Sequence, residues 1–277
     1  MPSGLRSSAR SVADHLRSER TTTALMPFPI EDHVSPTHVV AWRGQGAVYA
    51  PDFRARVSAW IATLRPISEH GLALFEPDGV EFAAALLAAW HLHRTVYLPG
   101  DAQQATCRAL AALGVGFAGA FAAEFHPVVA APDAEGFADA ASISLAGIDA
   151  DAIDVVIYTS GSTGAPQALR KRLAQLLAEV TTLEHQFGAQ VNGCDVFATV
   201  SHQHIYGLLF KILWPLAAGR AFRAETVLYP ETMHTLLHER RAAIISGPAH
   251  LKRLPTTLAW SDVRAQVGAV FSSGGPL

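Results

Sequence analysis

Only two cysteines, Cys107 and Cys194, occur in the 277 residues, and no Cys-x-x-Cys pair is present. That excludes a disulfide scaffold and predicts a reducing compartment. An excess of charge of one sign is also missing. With a net charge of −3 and acids and bases mixed along the chain, there is neither the basic footprint of a nucleic-acid binder nor a polybasic membrane patch. The longest apolar stretch unbroken by glycine, Phe82 to Trp90, is far shorter than the roughly 20 residues of a bilayer span. No membrane span is expected, and the location is read as cytoplasmic. Two catalytic signatures are absent as well. There is no Gly-x-Ser-x-Gly elbow, and no lysine follows Gly164 as a Walker A loop requires.

What is present is a globular composition, 50% hydrophobic, ample for a buried core. Residues 1–30 read as a disordered extension. Met1 to Thr23 is rich in Ser, Arg and Thr without the apolar centre of a secretory signal, and Met26 is an alternative start. From Val39 the pattern becomes β: Val39 to Arg43, a Gly44-Gln45-Gly46 turn, and Ala47 to Tyr49 form a hairpin. Phe53, Val57, Trp60, Ile61 and Leu64 then fall on one helix face. Strand Gly71 to Phe75, helix Val80 to His93 and strand Thr95 to Leu98 form a βαβ unit with a right-handed crossover. A helix from Gln103 to Leu113 and a strand near Val115 to Ala118 follow. Residues 121–150 read as connector.

The chain is organised around Tyr158-Thr159-Ser160-Gly161-Ser162-Thr163-Gly164-Ala165-Pro166, which follows the apolar run Ile153 to Ile157 and precedes a helix predicted to begin near Lys171. Gly161 and Gly164 let backbone N–H groups approach an anion closely. Thr159, Ser160, Ser162 and Thr163 add neutral donors, and a helix N-terminus aimed at the same point would add a weak positive pole. Strand and helix together place the loop at a sheet's carboxyl edge, where open α/β folds bind ligands. The simpler alternative is a surface loop of turn formers.

Further on, the Lys171–Phe187 helix leads to strand Val196 to Val200, then Ser201-His202-Gln203-His204-Ile205-Tyr206-Gly207 and an apolar helix, Leu208 to Leu216, that ends near Pro215. A strand at Arg220 to Arg223, helix Pro230 to Arg240, strand Ala243 to Ser246, short helix Pro248 to Leu254 and strand Gln266 to Phe271 complete the pattern. His202 and His204 have metal-ligand spacing if they lie on a strand, although no Cys, Asp or Glu accompanies them. A neutral His with a neighbouring phenol can also bond a carboxylate, with the apolar helix behind receiving its tail. Glu76 and Asp78 flank a turn and read as solvated, and Asp154 lies too early in its strand to hold a metal at the loop.

The stretch Tyr158 to Gly164 with Pro166 resembles the signature loop of the adenylate-forming superfamily, which includes acyl-CoA synthetases, luciferases and nonribosomal peptide adenylation domains. Its usual form is Tyr-Thr-Ser-Gly-Ser/Thr-Thr-Gly-x-Pro-Lys-Gly, and Gln167 and Ala168 stand here where Lys-Gly is usual. The hypothesis for the missing cation is that Arg170 or Lys171 supplies it. His204 to Gly207 is similar to the family's His-x-x-Gly segment, in which His and its aromatic neighbour border the carboxylate pocket and the Gly admits the substrate chain. Ser272 to Leu277 resembles its Ser-Gly-Gly-Ala-Pro-Leu segment, whose backbone lines the junction of acyl pocket and adenine.

The resemblance implies an α/β fold: a large N-terminal domain of layered, parallel-rich sheets flanked by helices. Residues 31–277 would form it incompletely, with lobe one about 31–178 and lobe two about 179–277. The C-terminal domain with the catalytic lysine would be absent. It further implies ATP and Mg²⁺ as cofactors and activation of a small acyl or aryl carboxylic acid, as in fatty acid metabolism. The acyl group would then pass to CoA or to the phosphopantetheine of an acyl carrier protein. The implied phosphate-binding residues are Thr159, Ser160, Gly161, Ser162, Thr163, Gly164, Arg170 and Lys171. The implied substrate pocket is His204, Tyr206, Gly207, Ser273, Gly274 and Gly275. No catalytic or metal residue is expected within these residues, and the fragment alone is expected to be inactive. The alternative is a non-catalytic nucleotide-binding or carrier-docking module that has kept the fold.

Overall fold

A computed structural model describes residues 34–130, 148–159 and 167–276. The extension expected over residues 1–30, most of the expected connector, and Ser160 to Gly164 of the phosphate loop lie outside the described residues.

Two sheets, both mostly parallel and flanked by helices, make up the mixed α/β fold. The first contains β3 (Gly71–Phe75), β4 (Thr95–Leu98), β5 (Gly116–Gly119), β6 (Asp154–Thr159) and β7 (Gln167–Arg172) in the order β5-β3-β4-β6-β7. All its pairs are parallel except β6 with β7. Its inner strands read as unbroken apolar runs, such as Val155-Val156-Ile157, because helices cover parallel sheets on both faces. The second sheet joins β1 (Val39–Arg43) and β2 (Gly46–Tyr49) to β8 (Asp195–Ala198), β9 (Phe222–Arg223), β10 (Ala242–Ser246) and β11 (Val267–Ser272), ordered β11-β10-β8-β9-β1-β2.

The fold makes one placement that the chain order does not suggest and changes two expectations. The β1–β2 hairpin precedes the first sheet in the chain, yet Ala41 and Trp42 pair with Phe222 and Arg223 of the second. The helix expected near Lys171 begins instead at Leu173, and Gln167–Arg172 is an edge strand antiparallel to β6. Glu76 and Asp78 are not simply solvated. Asp78 caps the helix Gly79–His91 by accepting from the Val80 and Glu81 amides at 2.9 and 3.0 Å.

That helix is apolar nearly all round, and such a helix must be buried. It packs on the helix Ala50–Leu64 and on β3 and β4, while its first residue, Gly79, donates to the Ala224 carbonyl at 3.0 Å. A Cβ at Gly79 would come within 2.9 Å of that carbonyl oxygen, so the absence of a side chain lets the two sheets approach here. Glu81, in the first turn of the helix, accepts from Arg56 at 2.6 Å, Trp60 at 2.9 Å and Arg43 at 3.1 Å. Burial would raise its carboxyl, but the bonds from Arg56, Trp60 and Arg43 and the charge of Arg56 together outweigh burial and hold it below the ordinary carboxylate range. Among the described residues no helix is long and apolar enough to cross a membrane.

Candidate functional site

Parallel pairing puts the carboxyl ends of β3, β4 and β6 on one edge of the first sheet, and those of β8, β10 and β11 on one edge of the second. The two edges meet. His204, after β8, lies against Gly100, just after β4, so closely that a Cβ on Gly100 would sit 2.9 Å from the His204 ring. His202 Nε2 bonds the carbonyl of Glu76, just after β3, at 2.7 Å. The loop 201–207 thus spans the junction.

Thr159 ends β6, opposite Gln167, and its hydroxyl donates to the Gln167 carbonyl at 3.4 Å. The segment between them therefore connects an antiparallel pair at the carboxyl edge, rather than leading from strand to helix. In consequence the helix Leu173–Phe187 starts beside Ile153 and Asp154, at the far end of β6. With five residues of strand between, about 17 Å, its N-terminal dipole adds nothing at the loop. Arg170 and Lys171 lie three and four residues down β7 from Gln167. Arg170 is bonded to Asp154 at 2.5 Å and Lys171 to Glu179 at 3.3 Å, so each must leave a carboxylate to reach the loop.

On the second sheet, one turn of α-helix, Ile205–Gly207, passes into a π-helical stretch, Leu208–Leu213, and then a last α turn, Trp214–Ala217. The helix contains Pro215 and ends at Ala217, one residue beyond the end expected at Leu216. A proline ring clashes with the carbonyl four residues back in an α-helix, and the wider π turn immediately before Pro215 relieves that contact. Gly207 is buried, and a Cβ there would lie 2.0 Å from the Ser201 carbonyl oxygen, so the chain's own backbone requires this glycine.

Tyr206 stacks on Phe210 at 4.9 Å, Phe210 meets Phe271 of β11 at 5.3 Å, and Trp214 and Phe187 close the cluster. The Tyr206 hydroxyl lies beside the Ser246 backbone without completing a hydrogen bond of ordinary geometry, and burial pushes its pKa up to about 12. Gln203 Oε1 and Ser272 Oγ are likewise buried without partners. Buried polar atoms are normally satisfied, and unsatisfied ones call for an explanation. Ser273, Gly274 and Gly275 follow β11 beside Gly247 and Pro248, with Gly274 at φ +94° and Gly275 at φ +157°, where other residues are strained.

The His-x-His pair diverges. His204 is exposed on Gly100, whereas His202 is buried, its Nδ1 facing Lys211 Nζ at 3.3 Å. Burial and that ammonium lower the His202 pKa to about 3. No group of three or more His, Cys, Asp or Glu among the described residues gathers as a metal set. Sequence reasoning missed Lys211, which is wholly buried, and the Phe210–Phe271 contact. The single charge in an otherwise apolar helix was the only available signal for Lys211, and the Phe210–Phe271 contact had none.

Thr159 and Gln167 thus lie at the carboxyl edge of the first sheet, while the loop 201–207 and the turn at Ser273 to Gly275 follow β8 and β11 at the edge of the second. Residues 56–276 match the AMP-binding enzyme family. The chain belongs to that family. Among curated relatives, it is similar to the 2-succinylbenzoate--CoA ligase of Enterococcus faecalis (strain ATCC 700802 / V583), 24% identical over 249 residues that cover 82% of this chain and 49% of the relative. The fold is shared with an acyl-CoA synthetase of Brucella canis, with a TM-score of 0.71 at 18% identity over 90% of this chain and 52% of that one. It is also shared with O-succinylbenzoate coenzyme A synthetase from Bacillus subtilis in complex with AMP, with a TM-score of 0.66 at 17% identity over 88% and 66%. The chain spans about half the length of the curated relative it matches.

Proposed function

We propose that this chain carries the nucleotide-binding and carboxylate-binding part of an ATP-dependent acid–thiol ligase. The observation that carries this reading is the meeting of two sheet edges at His204 and Gly100, with unpartnered buried polar atoms on Gln203 and Tyr206 of the same loop and on Ser272 at the end of β11.

In the overall reaction a carboxylate oxygen of the acid attacks the α-phosphorus of ATP. The bond to the bridging oxygen breaks, pyrophosphate leaves, and an acyl-adenylate forms. A thiol of CoA or of a carrier protein then adds to the acyl carbon, and AMP departs. This chain contributes binding and orientation, which hold the nucleophile and phosphorus in line. Residues 159–164 bind the phosphates through backbone N–H groups and hydroxyls. The family implies Mg²⁺ as well, and among the described residues no group of three or more His, Cys, Asp or Glu would hold it. The Tyr206 phenol, with its pKa at about 12, keeps its proton at neutral pH and can donate to a carboxylate, with the His204 imidazole as second partner. Phe210 and Phe271 offer an apolar wall suited to an acyl or aryl body.

The test is calorimetric titration of ATP into the chain and into the Ser160→Ala/Thr163→Ala double variant. At least tenfold weaker binding in the variant is expected, and equal affinity would refute the loop assignment. A second reading, a nucleotide-binding or carrier-docking module without chemistry, is favoured by Gln167 and Ala168 at the usual Lys-Gly positions. Carboxylate-dependent ATP–pyrophosphate exchange separates the two, provided it is measured on a polypeptide of the relatives' full length.

A further inference from the structure

Lys211 is the one lysine buried to 0% exposure, on the π-helical stretch four residues beyond Gly207. An ammonium has three N–H donors, and each has an acceptor here: the Ala224 carbonyl at 3.2 Å, the Thr226 hydroxyl at 3.3 Å and His202 Nδ1 at 3.3 Å. None of these acceptors is charged. The carboxylates of Asp78 and Glu225 face the ammonium at longer range, and the half-buried Glu76 follows β3 on the far side of the His202 ring. Because Nδ1 faces an ammonium it must accept, and because Nε2 faces a carbonyl it must donate. The ring is therefore neutral and protonated on Nε2. It is further held by the Phe82 ring at 4.4 Å, and Gln203 adds a second bond to the Glu76 carbonyl at 3.3 Å.

We propose that Lys211 is a positioning residue: by fixing the His202 ring between the two sheets, it holds the loop 201–207, and so His204 and Tyr206, at the junction where a carboxylate binds. This rests on the reading of His204 and Tyr206 as the carboxylate-facing pair. A buried ion weakens a fold unless fully bonded, and an apolar residue of similar size is often at least as stable there. A cation kept here is thus better explained by what it orients than by stability alone.

The experiment is ¹⁵N-histidine NMR with amide hydrogen exchange on the 277-residue chain, comparing wild type with Lys211→Met. In the wild type, His202 is expected to stay neutral and Nε2-protonated from pH 5 to 8. In the variant the His202 Nδ1 signal should shift because it has lost its ammonium donor, and exchange at residues 203–207 should accelerate at least tenfold, with less than twofold change in β3 and β6. An unaltered His202 ring overturns the proposal, and so does acceleration spread evenly over both sheets, which marks general destabilisation. Should the variant not fold, wild type alone decides: the His202 Nδ1 signal should move as Lys211 loses its proton around pH 8, and a flat response to pH 10 overturns the lock. Absence of any shift at His204 and Tyr206 on titration of wild type with benzoate overturns the pocket reading. It is distinguishable from failure of the lock, which shows in the His202 ring with no ligand added.

Discussion

Gly207→Ala sets two effects against each other. Gly207 has helical dihedrals, φ −68° and ψ −37°, so helix propensity alone predicts that alanine stabilises the chain by about 1 kcal/mol. Packing predicts the opposite. The new Cβ would lie 2.0 Å from the Ser201 carbonyl oxygen, 2.7 Å from its carbon and 3.0 Å from His202 Cα, all backbone atoms without a free end to swing away. Restoring an ordinary contact of 3.4 Å requires the Ser201 carbonyl to retreat by roughly 1.4 Å, beyond what hydrogen bonds tolerate. His202 would be drawn off the Glu76 carbonyl and Lys211. Overpacking costs about 1–3 kcal/mol, and two lost hydrogen bonds cost about 1 kcal/mol each. After the propensity gain, a net destabilisation of about 2–4 kcal/mol remains. Urea unfolding of wild type and variant measures it. A variant as stable as wild type, or more so, would refute the claim that close backbone approach demands this glycine. Gly100→Ala is the contrasting case. The three atoms nearest its Cβ all belong to the His204 ring, which is exposed and can rotate away. Stability should change by less than about 0.5 kcal/mol, while carboxylate binding weakens because His204 is displaced.

Burial pulls the Lys211 pKa from 10.5 down to about 8. The folded pKa lies below the unfolded one, so from about pH 8 to 10.5 the unfolded chain binds more protons and stability rises with pH. The stability of wild type relative to Lys211→Met should increase by roughly 3 kcal/mol across that window, and a gap that does not move in urea melts contradicts the assignment. His202, lowered from 6.5 to about 3, gives stability fully present above pH 6.5 and lost as pH falls towards 3. His202→Gln should flatten that acid limb in a thermal-melt series. Asp78→Ala removes the cap of the helix Gly79–His91 and the 2.7 Å ion pair with Arg43, costing about 1–2 kcal/mol, whereas Asp78→Asn, which keeps an accepting oxygen, should lose less than half of that by calorimetry.

Most strands and long helices were legible because their signal is local. Runs such as Val155 to Ile157 and the one-face spacing of Phe53, Val57, Trp60 and Leu64 report burial wherever they occur. The candidate site is proposed from three separate segments, through glycines and hydroxyls whose chemistry belongs to the residues themselves. The same reasoning failed at β7, since Gln167–Arg172 is an exposed edge strand that buries almost nothing and so leaves no periodic trace.

By itself, then, the sequence determined most of the elements and the family. Each depends on residues within one turn or one strand of each other. Only the tertiary structure decided that the β1–β2 hairpin joins the second sheet, that His204 comes to rest on Gly100, and that Lys211 finds three acceptors in the core. The Lys211 acceptors lie only 9 to 15 residues away, but His204 and Gly100 are 104 residues apart and Ala41 and Phe222 are 181, and nothing in either of those segments encodes the other. Closing such long loops costs entropy that only packing of the whole fold offsets.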